Sequence, residues 1–224
     1  MRKNGVTDLE IFKEENMNRR MIEEEIDRLI DGVLDTFLRR TKDHIDRVFY
    51  FYWLAVKNEI VPEDMIDWEG IVEHDKDKLD PYNLERQALR YCIPEDEMTE
   101  TDLKDIDDVV REHVKNNPHH PEYWCEGDYD DKNLDCSDMP ISEIYIMMAD
   151  CTATSEEKSG KSARDWFKKS VVNVGGDRWI FSDEQLKVIE KCLDFFEDKI
   201  DPKMKRDYGF EPSFDPAKNS EEKN

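Results

Sequence analysis

Apolar residues recur at intervals of three and four along most of the chain, the period that lays them on one face of a helix. Over residues 21–57 the stripe runs through Ile26, Ile30, Val33, Leu34 and Phe37, then Val48, Phe51, Tyr52 and Ala55. His44 stands on that stripe one turn before Val48, so its imidazole is predicted to face inward. A short segment at 66–74 follows, and Asp80-Pro81 reads as an N-cap with proline at the first helical position of a helix over 81–91 that Pro94 closes. Leu103, Ile106, Val109, Val110, His113 and Val114 predict an amphipathic helix over 101–115, stopped by Asn116-Asn117-Pro118.

The second half continues the pattern. Residues 139–155 form the most apolar segment, with Ile141, Ile144, Tyr145, Met148 and Cys151 on or near its core face and the Met147-Met148 pair filling the core. Asp150 sits inside this segment. A buried carboxylate without a partner is expensive, so Asp150 must be paired, hydrogen-bonded or metal-bound. A short helix opens near Ser162, Gly175-Gly176 makes a turn, and Ser182 with Gln185 three residues on is a capping box that starts a last helix ending near Asp201-Pro202. Trp53, Trp68, Trp166 and Trp179 are predicted to pack the core. The fold class is all-α, preceded by a polar arm over residues 1–20 and followed by a polar, loosely ordered tail over 201–224.

The chain has 224 residues, enough for one sizeable core, and a formal net charge of -23, which repels polyanions. Duplex nucleic acid and anionic membranes are therefore not expected partners, while a small phosphorylated ligand remains compatible where a metal reverses the local field. With no apolar run of spanning length, no signal-peptide stretch, and five cysteines in an odd set without a CxxC pair, the expected setting is reduced and cytoplasmic. The run EGDYDDKNLDCSD is acidic but lacks the EF-hand order, so it reads as an exposed loop and not a calcium site. No Walker loop, GxGxxG or GxSxG is present.

The chemistry lies in the histidines. All five fall in one series with two aspartates: His44, His74-Asp75, His113, His119-His120 and Asp150. Imidazole and carboxylate together suit zinc, manganese, iron and similar divalent ions. Glu73, Glu112 and Asp46 lie close enough in sequence to orient ligand imidazoles.

The order of these residues resembles that of the HD-domain metal-dependent phosphohydrolases. His44, His74-Asp75 and Asp150 match the four-ligand core, and Lys78 stands three residues after the aspartate, where many members carry a lysine. The blocks EHDKDKLDP, NPHHPEYW and MPISEIYIMMAD are similar to marks of an uncharacterised HD-like family, a domain of unknown function found in phages and bacteria. The resemblance implies an HD-like helical bundle over residues 21–200 and one or two divalent ions (Mn, Zn, Mg, Co or Fe). His113, His119 and His120 are closer together than in the binuclear members. They decide between one ion and two, or contact substrate.

An ion so held would make hydroxide available near neutral pH, for in-line attack on a small phosphate ester such as a nucleotide. Asp75 is placed to bridge two ions and Asp150 to complete the shell. Lys78 would neutralise a phosphate oxygen, and a protonated His113, His119 or His120 would assist the leaving oxygen. Tyr123 and Trp124 either stack on a base or pack the loop onto the core. Two alternatives carry different chemistry: a di-iron oxygenase of the HD type, and a noncatalytic acidic interaction protein.

Overall fold

A computed structural model of the chain describes residues 8–92 and 98–205. Among these, seven α-helices carry nearly all of the regular structure, and the fold is all-α. They are α1 (Asp8–Lys57), α2 (Trp68–Glu73), α3 (Pro81–Cys92), α4 (Glu100–Asn116), α5 (Ile141–Ser159), α6 (Arg164–Ser170) and α7 (Asp183–Phe196). None of the described helices is long and apolar enough to cross a membrane. The helix-closing role expected of Pro94 falls outside the described residues, as does most of the tail expected over 201–224.

Helix α5 is the centre of the bundle. Ile144, Tyr145, Ile146, Met147, Met148 and Ala149 are buried in succession, and a helix apolar on every side must be covered on every side. It packs between α1, through Val48, Phe51, Tyr52 and Ala55, and α7, through Ile189, Cys192, Leu193 and Phe196. Polar bridges also fix α1 against α5. Arg40 Nε lies 2.7 Å from Glu157 Oε1, and Arg47 Nη2 donates to Glu156 Oε1 at 2.6 Å. These two bridges bracket His44 on α1.

Helix starts follow their chemistry. Thr99 with Asp102 and Ser182 with Gln185 form capping boxes for α4 and α7, and Asp80 accepts from Tyr82 N at the start of α3. Several expectations need correction. The arm expected over 1–20 is, from Asp8 on, the start of α1, because residues 8–20 contain no glycine or proline to interrupt a run of helix formers. The segment expected as an exposed loop holds β1 (Leu134–Asp135), which pairs in parallel with β2 (Trp179–Ile180) in register Leu134 to Trp179, and it buries Tyr129, Leu134 and Cys136. The start of the expected loose tail is docked: Asp201 N donates to Glu156 Oε1 at 2.8 Å ahead of a 3-10 turn, Pro202–Met204. Of the four tryptophans expected in the core, Trp179 is buried, whereas Trp53, Trp68 and Trp166 are exposed.

One acid on this frame is poorly placed. Glu143, in the first turn of α5, is raised to about 7 by burial and then by the neighbouring Asp67. A carboxyl whose folded pKa lies above its unfolded value opposes folding once it ionises: the penalty is absent below about pH 4.5 and complete above about pH 7. Glu143→Gln should therefore raise the Tm by about 3 °C at pH 8.5 and leave it unchanged at pH 4. Melting curves at the two pH values check this, and an equal change at both would refute it.

Candidate metal centre

His44 reaches the site from the inner stripe of α1 and Asp150 from α5, the pair of helices locked by the two arginine bridges. His74 and Asp75 follow the end of α2. Asp75 adopts φ 58°, ψ 11°, a left-handed conformation uncommon for a residue with a side chain but tolerated by aspartate. That reversal breaks the helical rise, so two adjacent side chains can converge on one point instead of pointing about 100° apart around a helix. His113 comes from the last turn of α4. His119 and His120 come from the loop that follows, between Pro118 and Pro121.

The structure brings all seven together. His74, Asp75, His119, His44 and His113 are buried, while the side chain of Asp150 is 16% exposed and His120 is half-buried. Two groups form. His44, His74 and Asp150 have ligand atoms within 4.8 Å of one another, as do Asp75, His113, His119 and His120. Asp75 stands between them. Its Oδ1 lies 3.3 Å from His113 Nε2, 3.7 Å from His119 Nε2 and 3.9 Å from His74 Nε2. Its Oδ2 lies 3.4 Å from His44 Nε2 and 2.6 Å from Lys78 Nζ. Asp150 Oδ1 is 3.1 Å from His44 Nε2 and 4.0 Å from His74 Nε2.

Hydrogen bonding alone leaves this cluster unsatisfied. Both ring nitrogens of His74, His119 Nε2 and Asp75 Oδ1 are buried and make no hydrogen bond among the described residues. Buried polar atoms without partners are costly and rare. Yet Asp75 Oδ1 faces three imidazoles at separations close to the ~3.3 Å expected between two ligands of one ion with bonds of about 2.0–2.2 Å. The donor set fits a divalent metal: these buried His/Asp groups could hold an ion.

The electrostatics agree. Burial holds the His74 and His119 imidazoles below their ordinary range and takes His120, next to His113, down to about 3, so these rings are neutral and their lone pairs are available. His44 is the exception. Burial disfavours its charge, but hydrogen bonds with Asp150, Asp75 and Glu157 outweigh that and raise it to about 10. Burial likewise opposes ionisation of Asp75 and Asp150, but the imidazoles around both, and Lys78 beside Asp75, hold them well below the usual carboxylate range. The interior of the site is thus a pair of carboxylates that attracts positive charge.

Residues beyond the ligand series also shape the centre. Asp77 Oδ2 lies 2.7 Å from His113 Nδ1, an outer carboxylate placed to accept from Nδ1–H and so leave the Nε2 lone pair facing inward. Asn117 Nδ2 donates to the His113 carbonyl at 2.8 Å, and Glu157 Oε2 sits 3.7 Å from His44 Nδ1. Of the acids singled out from sequence for this orienting part, Glu73 pairs with Lys76 at 2.5 Å, and no contact joins Glu112 or Asp46 to an imidazole. The aspartate two residues after Asp75 serves His113 because the 3-10 turn Lys76–Leu79 swings it toward α4. Asp77→Asn should weaken metal uptake about 10- to 100-fold with the helical signal unchanged. Equilibrium dialysis checks it, and wild-type affinity would remove Asp77 from the site.

Lys78 points at Asp75, and its side chain is 19% exposed. With Asp150 and His120 it marks the side where the centre meets solvent. Trp124 turns its indole N–H back onto Pro118 O at 2.7 Å and packs on the core, closing the loop. Tyr123 is 43% exposed, with its ring against Trp124.

Fold and site together define an all-α protein with a buried histidine-aspartate cluster able to hold a metal. The model of a family of unknown function, DUF5662, matches residues 34–195, a span that contains every ligand candidate, and the chain belongs to that family. No curated protein and no solved structure matches the chain.

Proposed function

We propose that this protein is a metal-dependent phosphohydrolase of the HD-domain kind, acting on a small phosphate ester, with nucleotides the first candidates. The observation that carries this reading is Asp75, whose Oδ1 faces His113 and His119 of one ligand group and His74 of the other, and whose Oδ2 faces His44 and holds Lys78. A divalent ion bound there supplies Lewis acidity toward a phosphoryl oxygen and lowers the pKa of a bound water toward about 7. Lys78 is half-buried at the rim, so its ammonium can exchange Asp75 Oδ2 for a non-bridging phosphate oxygen and place the ester over the cluster. His119 and His120, neutral and packed ring to ring at 4.3 Å, serve as ligands and not as resting acids. The net charge of -23 favours a small ester over a polymeric one.

A cluster of buried polar atoms without protein partners weighs against a purely noncatalytic surface role, which has no use for it. The shared carboxylate also suits two iron ions, the donor set of a di-iron oxygenase. Metal analysis of the purified chain followed by a phosphatase screen over nucleotides, with Asp75→Ala as control, separates these readings. Phosphate release that depends on added metal and is lost in the control supports the proposal. Retained iron with oxygen consumption and no phosphate release supports the oxygenase. A chain that takes up no metal overturns both.

A further inference from the structure

The loop over residues 117–125 delivers two imidazoles, yet most of its hydrogen bonds close on itself. His120 N donates to Asn117 O, Tyr123 N to His120 O, Trp124 N to Pro121 O, and Trp124 Nε1 to Pro118 O. These set its shape and not its place on the bundle. Polar tethers set the place. Asn117 N and Nδ2 donate to His113 O at 3.2 and 2.8 Å, and Lys115 of α4 donates to Glu122 O at 2.9 Å and to Cys125 O at 3.2 Å, which ties the loop to the helix that carries His113. A tether in another direction is the Glu122 side chain, 1% exposed, whose Oε1 accepts from Arg178 Nη2 at 2.6 Å and from Trp179 Nε1 at 3.1 Å. Arg178 is itself held flat over the Tyr129 ring, 4.5 Å from its centroid, and donates to Tyr129 O at 3.1 Å.

A buried carboxylate adds little stability over a well-packed apolar side chain; what it adds is direction. Resting on the metal reading above, we infer that Glu122 is a positioning residue for the half of the centre formed by Asp75, His113, His119 and His120. Its carboxylate fixes the loop to β2, two donors on one oxygen set its height and tilt, and His119 and His120 are thereby aimed at Asp75 Oδ1. The group built on His44, His74 and Asp150 comes from α1, α5 and the end of α2 and meets the loop through the His74–His119 ring contact at 4.3 Å, so this tether reaches it only indirectly.

The test is a Co2+ titration of the full chain after chelator treatment, followed by calorimetry and visible absorption, with helical content and Tm recorded in parallel. Wild type should take up two equivalents and His119→Ala should lose one. Glu122→Gln, which keeps the shape and removes the charge, should weaken that same equivalent about 10- to 100-fold and leave the other within twofold. Trp179→Phe removes the indole donor together with part of the ring packed on Trp166 and Phe181, and should do the same more weakly, so the inference stays testable if Glu122→Gln does not fold. A merely structural role would lower Tm and weaken both equivalents alike; that result, or no change in either, overturns the inference. Wild type that takes up no Co2+ dependent on His119 overturns the metal reading of this half and the inference with it.

Discussion

Asp75→Asn should lose uptake at both ligand groups and lower phosphate release by at least about 1,000-fold, while far-UV circular dichroism stays that of the wild type. Asparagine is the informative replacement because it tolerates the left-handed backbone at this position, whereas alanine there costs roughly 1–2 kcal/mol in conformation alone. What changes is charge: the amide has one oxygen and no anion to offer the five groups that surround the carboxylate, His44, His74, Lys78, His113 and His119. Loss of metal-derived charge stabilisation of several kcal/mol corresponds to a rate loss of that order or more. Replacing His74 alone should be milder at the second group. An Asp75→Asn protein that still binds metal at wild-type affinity would show that the carboxylate is not shared.

The second large effect concerns stability. The metal-free protein carries buried Asp75 and half-buried Asp150 in one another's field, with His74 and His119 nitrogens lacking hydrogen bonds among the described residues. An ion that binds only the folded chain adds about 2.7 kcal/mol at a free concentration 100-fold above its dissociation constant. For a chain of this size that is a rise in Tm of about 5–10 °C. Melting curves with excess chelator and with Mn2+, Zn2+ or Co2+ measure it, and an unchanged Tm with every ion would sink the metal reading. Because ligands must shed protons, and His44 holds one up to about 10 in the metal-free chain, the rise should shrink as pH falls.

Much of this could be read before the structure, for identifiable reasons. His44 falls one turn before Val48 on the apolar stripe of α1, so helical periodicity turns it inward, and Asp150 inside the most apolar segment is marked by the cost of burying it. The capping boxes at Thr99 and Ser182 follow local rules and appear where those rules place them. What escaped depends on distance in the chain. Asp77, Glu157 and Glu122 are three among 56 acidic residues, and nothing local distinguishes an acid that will meet an imidazole or an arginine from one that will meet water. The β1 and β2 pairing joins two-residue strands too short to show alternation. Helix propensity without a terminator hid the true start of α1. The spacing of His113, His119 and His120, closer than in the binuclear members that the sequence resembles, carries no local sign of their convergence; the turn between Pro118 and Pro121 brings the three rings together beside Asp75.

The ligands come from α1, the end of α2, α4, its following loop and α5, and the first and last of them, His44 and Asp150, lie 106 positions apart in the sequence. An unfolded chain cannot gather groups so widely separated without closing long loops, which is entropically unfavourable and slow. Short-loop metal domains can be nucleated by their ion. Here the bundle must close first, so an ion held by this cluster would be captured late in the life of the molecule and would select the finished fold instead of building it.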